Sequence, residues 1–257
     1  MRSEFQAAIA QLIAEKGLPR EVVMETVATA LLSAYRKSFE LLARRRRRVA
    51  AVSTTVLERI APWGPSAVVP NGLEPAEWLG DPTPPEWLEQ LGHPLLLYVG
   101  SLDSRLDVAG LLTIARELPE ATVLLAGPLL DPPHLAPLRA APNVQVRPAL
   151  GRPEVTGLIR GADVGLIPHV RSRLTEAMSP LKLYEYLAGG LPVVAADLPP
   201  MRGVDPRVTL VAAGEDYPRA VRAALARGPA TEERRLAFMR ASSWSARHER
   251  LLDLALA

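Results

Sequence analysis

The sequence predicts an α/β fold in which a doubly wound parallel sheet follows a pair of N-terminal helices. From about residue 95 to residue 226, short and continuous apolar runs alternate with segments of helical periodicity. This alternation is typical of parallel strands that are covered by helices on both faces. The first 50 residues show helical periodicity only. Hydrophobic residues make up 48% and charged residues 23% of the 257 residues, which indicates a globular protein with a real core.

Residues 1–48 are predicted to form a helical hairpin. The stretch "SEFQAAIAQLIAEKG" begins at a serine cap and stops at Gly17, and a second helical pattern starts at Pro19. The hairpin ends in an unbroken basic run, Arg44, Arg45, Arg46, Arg47 and Arg48. Such a run favours a solvated helix face or linker, and contact with anionic lipid or nucleic acid is the alternative.

Residues 49–92 are predicted to be a small α/β segment that continues into a connector. "VAAVS" and "SAVVP" have the texture of short strands, and "TTVLERIAPWG" between them is typical of a short helix. The stretch that follows is rich in proline, glycine and tryptophan, which favours a connector.

Residues 93–257 are predicted to hold the main sheet and a C-terminal helix. Thr231 is the predicted cap of that helix, and Ser242-Ser243 is predicted to interrupt it. The predicted strands are Leu95–Val99, Ala121–Ala126, Val144–Arg147, Val164–Pro168, Pro192–Ala195 and Val208–Ala212.

The composition excludes several classes of function. There is no cysteine, so disulfides, thiolate metal sites and cysteine nucleophiles are excluded, and the four histidines show no metal-ligand spacing. The net charge of +2 does not indicate a nucleic-acid binder, and no apolar run reaches the roughly 18 residues of a membrane span. We therefore expect a soluble, cytoplasmic protein. No dinucleotide-binding glycine motif and no P-loop follows any predicted strand.

The ligand is expected beyond the carboxyl ends of the strands, as in other doubly wound sheets. Four loops lie there: Gly100–Leu106, Gly127–Pro133, Arg147–Pro153 and Pro168–Ser179. Gly100 opens the first of them, and the missing side chain lets a ligand approach the backbone.

One lysine occupies an unfavourable position in "SPLKLYEYLAGGLP". With Ser179 as the N-cap and Pro180 as the first helical residue, Lys182 is the third. A cation there opposes the helix dipole, at a cost of up to about 1 kcal/mol. A surface ion pair with Glu185 is one explanation. The other is that an anion such as a diphosphate binds at this helix end, where Glu185 then accepts hydrogen bonds from ribose hydroxyls.

The residues also resemble a known family. The stretches "LLLYVGSLDSRLDVAGLLTIARELPEATVLLAGP", "PNVQVRPALGR" and "ADVGLIPHVRSRLTEAMSPLKLYEYLAGGLPVVAADLP" resemble group 1 glycosyltransferases of family 4. The resemblance runs from about Val49 to the C-terminus and implies the C-terminal half of a GT-B fold, a Rossmann-like doubly wound sheet. It implies transfer of a sugar from a nucleotide-diphosphate sugar to a glycan or lipid-linked acceptor, with retention, in cell-surface polysaccharide synthesis and without a metal.

The same resemblance implies roles for particular residues. Glu185 matches the second glutamate of the family's E-x7-E motif, which holds the donor ribose, whereas the first falls on Ala177. Lys182 and Arg105 are implied diphosphate contacts, and with Glu185 they form the implied catalytic set. The further implied nucleotide-sugar contacts are the turn Gly100-Ser101, Gly151 and Arg152 at the base, Thr175 and Ser179.

Residues 1–39 resemble a different family, the N-terminal segment of the transcription factor NusA. That resemblance implies contact with RNA polymerase, and a non-catalytic polymerase-associated protein is therefore the alternative function. A complete GT-B enzyme also has an N-terminal acceptor domain, of which only the last elements are recognisable here. The sequence thus resembles a junction of two proteins, and we expect this chain to bind the donor but to transfer little sugar alone.

Overall fold

The computed structural model describes residues 48–60, 64–81 and 83–256. The predicted N-terminal hairpin and Arg44 to Arg47 lie outside these residues. The chain divides into two compact units, residues 1–49 with 58–66 and residues 50–57 with 67–257, and the second contains the main sheet. The boundaries predicted after residues 48 and 92 stay predictions. Within the described ranges, no helix combines the length and the apolar character that crossing a membrane requires.

The segment before the main sheet contains the predicted short elements. Strand β1 (Val49–Ala51), helix α1 (Thr54–Ile60) and strand β2 (Ser66–Val68) occur in the predicted order. The stretch that was predicted to be a connector holds a further helix, α2 (Ala76–Leu79), and a 3₁₀ turn at Glu86–Gln90.

This connector is part of the packed domain. Trp78 in α2 is only 1% exposed and belongs to the core. A Cβ atom added to Gly157 would lie 2.5 Å from backbone atoms of Thr83, so only glycine permits this close approach. The backbone N–H of Leu73 donates to the carbonyl of Ser242, and the N–H of Trp244 donates to the carbonyl of Leu73. Leu73, Trp78 and Thr83 are therefore packed against the sheet domain.

The main sheet has six parallel strands in the order β5-β4-β3-β6-β7-β8. All six predicted strands are confirmed to within one residue. Their bounds are β3 Leu95–Val99, β4 Thr122–Ala126, β5 Val144–Arg147, β6 Val164–Ile167, β7 Val193–Ala196 and β8 Val208–Val211. Central β3 pairs through Leu97 with Leu124 of β4 on one side and with Gly165 of β6 on the other.

Helices cover both faces of the sheet. Asp107 caps α3 by accepting from the N–H of Gly110, and Thr231 caps α8 by accepting from the N–H of Arg234, as predicted. The predicted break at Ser242-Ser243 separates α8 from α9. The helices are α3 Val108–Glu117, α4 Pro132–Arg139, α5 Arg152–Gly161, α6 Leu181–Gly189, α7 Tyr217–Arg227, α8 Glu232–Ala241 and α9 Trp244–Leu256.

The core lies in two layers because successive side chains of a strand point to opposite faces. Leu95 and Leu97 of β3 pack with α5, α6 and α8 on one face. Leu96 and Tyr98 pack with α3, α4 and α7 on the other. The chain order reverses between β3 and β6, and the α/β fold thus places a crevice beyond the carboxyl ends of these two strands.

Candidate functional site

The site lies where the loops after β3 and β6 meet. The N–H of Asp107 donates to the carbonyl of Pro168 at 2.8 Å, and the N–H of Val170 donates to the carbonyl of Arg105 at 2.8 Å. Leu106 and His169 form an antiparallel bridge between these bonds. The two loops are therefore held together by backbone hydrogen bonds, which gives the crevice a fixed wall.

A cleft of about 470 Å³ opens at these strand ends. It brings together Gly100, Arg152, Lys182 and Glu185, which the sequence predicts as site residues from three separate stretches of the chain. Its complete lining is Val99, Gly100, Leu150, Arg152, Val155, Leu181, Lys182 and Glu185.

Two glycines, one in the cleft lining and one packed against it, follow strands β3 and β4. Gly100 has a φ of +146°, and an added Cβ would lie 3.0 Å from Cε and Nζ of Lys182. Gly127, at the end of β4, has a φ of +153°, and its added Cβ would lie 2.0 Å from the carbonyl oxygen of Gly100. Both the backbone angles and the close packing require glycine at these positions.

The predicted cap of helix α6 is wrong by one residue. Pro180 is the N-cap and Leu181 is the first helical residue, so Lys182 is the second rather than the third. Ser179 does not cap the helix because its hydroxyl accepts from the backbone N–H of Asn71 at 3.1 Å. Lys182 nevertheless remains in the first turn, where a positive charge opposes the helix dipole.

Lys182 has no salt bridge with any described residue; its ammonium instead lies over an aromatic ring. The distance from Nζ of Lys182 to the ring centre of Tyr98 is 4.8 Å. The expected alternative, an ion pair with Glu185, is not formed because the carboxylate of Glu185 pairs with Arg152. Burial, assisted by the charge of nearby Arg105, lowers the pKa of Lys182 to about 8. The site therefore holds a cation that forms no salt bridge with any described carboxylate.

Glu185 is nearly buried, with 6% of its surface exposed. Nη1 of Arg152 donates to its Oε1, while Nε of Arg152 (2.9 Å) and Nη2 of Arg152 donate to Oε2 of Glu77. The three side chains come from α6, α5 and α2, respectively. One guanidinium thus bridges two carboxylates at the edge of the cleft.

Arg105 is held by an acidic neighbour on its own loop. Nε of Arg105 donates to Oδ1 of Asp103 at 2.9 Å, and Nη2 donates to Oδ2 at 2.7 Å. This pairing lowers the pKa of Asp103 below its usual range. Two donors on the carboxylate fix the orientation of the guanidinium.

Tyr98 and His169 form a buried pair behind Lys182. The hydroxyl of Tyr98 lies 3.3 Å from Nε2 of His169 and 3.1 Å from the carbonyl oxygen of Ser101. Burial, followed by the charges of Lys182 and Arg105, lowers the pKa of His169 to about 3, so its imidazole is neutral at pH 7. This pair fixes the ring that faces the ammonium of Lys182.

Five predicted contacts do not line the cleft: Arg105, Ser101, Gly151, Thr175 and Ser179. Thr175 is fully buried, and its hydroxyl donates to the carbonyl of Val170 at 2.7 Å, so it holds its own loop. The N–H of Gly151 donates to Glu154 at 3.0 Å just before α5 begins. Their roles in nucleotide-sugar binding stay predictions.

Two residues of the site were not predicted from the sequence. Strand alternation shows that Tyr98 is buried, but no local signal shows that Lys182 reaches its ring. Glu77 lies 75 positions before Arg152, and only the packing of α2 near α5 brings the two together. Among the residues that the structure describes, no group of three or more histidine, aspartate or glutamate side chains could hold a metal ion.

Comparisons with known proteins agree with this architecture. The family model "Glycosyl transferases group 1" matches residues 93–228, and the model of the NusA N-terminal domain matches residues 4–56. A curated relative from Bacillus subtilis, the "Putative teichuronic acid biosynthesis glycosyltransferase TuaH", is 32% identical over 107 residues. That match covers 41% of this chain and 27% of the relative.

Solved structures share the fold at low sequence identity. Sucrose-phosphate synthase from Thermosynechococcus elongatus matches with a TM-score of 0.62 at 18% identity, over 81% of this chain and 57% of that one. AviGT4, a glycosyltransferase involved in avilamycin A biosynthesis, matches with a TM-score of 0.61 at 20% identity. That match covers 80% of this chain and 61% of AviGT4. The two family-model matches confirm the two resemblances that were stated from the sequence. With its family model matched over more than half of its length, the chain belongs to the group 1 glycosyltransferases.

Proposed function

We propose that this chain binds a nucleotide-diphosphate sugar in the cleft lined by Gly100, Lys182 and Glu185. The observation that carries this proposal is the charge of Lys182, which forms no salt bridge with any described carboxylate. Burying a cation without a counter-ion is costly unless a ligand supplies the missing charge. A diphosphate would do so at a position that the helix otherwise makes unfavourable.

Three kinds of positive potential converge on the proposed diphosphate. The ammonium of Lys182 is one, and the guanidinium of Arg105 is close enough to lower the pKa of that lysine. The first backbone N–H groups of α6 have no partner within the helix, and the helix dipole adds partial positive charge. Helix N-termini of this kind bind phosphates in many proteins. We therefore propose that binding requires no metal ion.

The proposed reaction is transfer of the sugar to a glycan or lipid-linked acceptor, with retention at the anomeric carbon. The bond between the anomeric carbon and the diphosphate breaks, an acceptor oxygen forms the new bond, and its proton is released. Lys182, Arg105 and the helix N–H groups would stabilise the departing diphosphate. A role in cell-surface polysaccharide synthesis is supported by the Bacillus subtilis relative, whose name assigns it to teichuronic acid biosynthesis.

Transfer activity, which is a property of complete enzymes of this family, is only proposed for this chain because the chain spans part of its relatives. The chain spans 27% of the curated relative and 57% to 61% of the first two solved structures it matches. The expectation that this chain alone transfers little sugar stays a prediction. It is checked by incubating donor with free-glycan and lipid-linked acceptors, with Glu185→Ala as the control.

Contact with RNA polymerase also stays a prediction. It rests on the match to residues 4–56, most of which the structure does not describe. Membrane contact through Arg44 to Arg48 likewise stays a prediction. A pull-down with purified polymerase checks the first prediction, and flotation with anionic vesicles checks the second.

Calorimetry tests the proposed binding directly. UDP-sugars and GDP-sugars are titrated into the protein in the presence of EDTA, and one of the two is expected to release heat and raise the melting temperature. The Lys182→Ala variant is expected to lose most of this signal. If neither donor gives heat or a thermal shift, the proposal is wrong.

A further inference from the structure

The carboxylate of Glu185 is held on one side only. Its Oε1 accepts from Nη1 of Arg152, whereas Oε2 has no hydrogen-bond partner among the described residues. Glu185 lines the cleft beside Lys182. An ionised carboxylate is an acceptor only, and each of its oxygens offers two lone pairs. Oε2 is thus an acceptor that remains available at the cleft.

Arg152 is itself held from a second helix. Two of its nitrogens, Nε and Nη2, donate to the same oxygen of Glu77. Its guanidinium carbon also lies 5.7 Å from the ring centre of Trp78, the residue next to Glu77. With 42% of its side chain exposed, an arginine without these contacts would sample several rotamers. Helix α2 therefore holds the guanidinium of Arg152 in one orientation, and that guanidinium in turn orients the carboxylate of Glu185.

We propose that Glu77 and Arg152 are positioning residues that orient Glu185 so that Oε2 accepts hydrogen bonds from the two ribose hydroxyls of the donor. This inference rests on the proposed function. The chain of contacts runs from Glu77 through Arg152 to Glu185, and neither positioning residue touches the reacting atoms. It gives α2, which lies in the stretch that was predicted to be a connector, a part in selecting ribonucleotides over deoxyribonucleotides.

The two hydroxyls distinguish ribose from 2′-deoxyribose. A site built to pair with a hydroxyl discriminates against the ligand that lacks it, because the buried polar group is then left without a partner. We expect the unmodified protein to bind a ribonucleoside diphosphate at least about 10-fold more tightly than its 2′-deoxy counterpart, which corresponds to about 1.4 kcal/mol. A poorly oriented Glu185 would lose this preference while the diphosphate contacts remain.

The experiment measures the affinity of UDP, GDP and their 2′-deoxy forms by calorimetry in EDTA. Glu77→Ala is expected to reduce the ribose preference to about 2-fold or less, mainly by weakening the ribonucleotide. Glu77→Gln keeps an acceptor for Arg152 and is expected to restore part of the preference. Glu86→Ala removes an exposed acidic side chain from the neighbouring 3₁₀ turn and is expected to change nothing. Thermal unfolding of each variant checks that the fold is intact.

The variant Glu185→Ala separates this inference from the proposed function. A ribose preference that is lost in Glu185→Ala but kept in Glu77→Ala overturns the inference and leaves the proposed function standing. Equal weakening of ribo- and deoxyribonucleotides by Glu77→Ala shows a merely structural role and also overturns it. No ribose preference in the unmodified protein overturns the inference alone, whereas no binding of any nucleotide overturns both.

Discussion

The ammonium of Lys182 lies 4.8 Å from the ring centre of Tyr98, at the first turn of α6. A cation over the face of an aromatic ring gains about 0.5–2 kcal/mol, depending on how well water is excluded. That gain offsets part of the cost of burying the charge opposite to the helix dipole. The ammonium also lies close to Gly100, whose added Cβ would lie 3.0 Å from its Nζ.

Replacement of Lys182 by alanine is expected to weaken nucleoside diphosphate binding by about 10-fold or more, because a hydrogen bond to a charged group contributes about 1.5–3 kcal/mol. The free energy of unfolding is expected to stay the same or to rise, since an unfavourably placed cation is removed. Calorimetry and urea unfolding measure the two effects. Arg116→Ala, which removes one exposed positive charge from the last turn of α3, is the matched control. A clear loss of stability with unchanged affinity would contradict the assignment.

Diphosphate binding is expected to weaken as the pH rises through about 8, the folded-state pKa of Lys182. Only the protonated amine attracts the ligand. The stability contribution has the opposite trend: between pH 8 and the ordinary value of 10.5 the unfolded chain binds more protons, so the contribution of this group to the free energy of unfolding rises with pH. Affinity measured from pH 6.5 to 9.5 checks the first trend. The Lys182→Arg variant, which stays charged throughout, should lack this decline.

Gly100→Ala is expected to destabilise the protein by about 1–3 kcal/mol, because alanine is strained at a φ of +146°. Its Cβ would also displace the side chain of Lys182, so diphosphate affinity should fall together with stability. Gly80→Ala is the control, since that glycine has a φ of −83° and open space around an added Cβ. Urea unfolding and calorimetry on both variants measure the difference. Equal behaviour of the two variants would show that Gly100 has no special role.

The ring of Tyr98 is expected to set the pH range of diphosphate binding. In Tyr98→Leu the loss of the ring face should lower the pH midpoint of binding by about 0.5–1.5 units, since one pKa unit corresponds to 1.36 kcal/mol. Tyr98→Phe keeps the ring and should keep the midpoint. It should still lose about 1–3 kcal/mol of stability, because the phenol oxygen next to His169 is removed. The pH profile of affinity is the decisive measurement, and identical midpoints in both variants would refute the contact.

The strands of the sheet could be predicted from the sequence because a buried parallel strand is a continuous apolar run. Lys182 could be predicted because its position in a helix is a local property. The partner of Glu185 could not, since Arg152 and Glu77 approach it only after α2, α5 and α6 have packed. The predicted cap of α6 was wrong by one residue for the same reason. The hydroxyl of Ser179 accepts a hydrogen bond from the backbone N–H of Asn71, which is 108 positions away.

The hydrogen bonds between Leu73 and the residues Ser242 and Trp244 limit the positions at which a shortened or chimaeric form of this protein can begin. Any shortened form that begins at residue 93, at the start of the family match, would leave out Trp78 and expose the core surface that it covers. It would also remove the hydrogen bonds that join Leu73 to the junction between α8 and α9. A transplantable sheet domain therefore has to begin before Asn71, and grafting experiments in which domains are exchanged between relatives should place their crossover there.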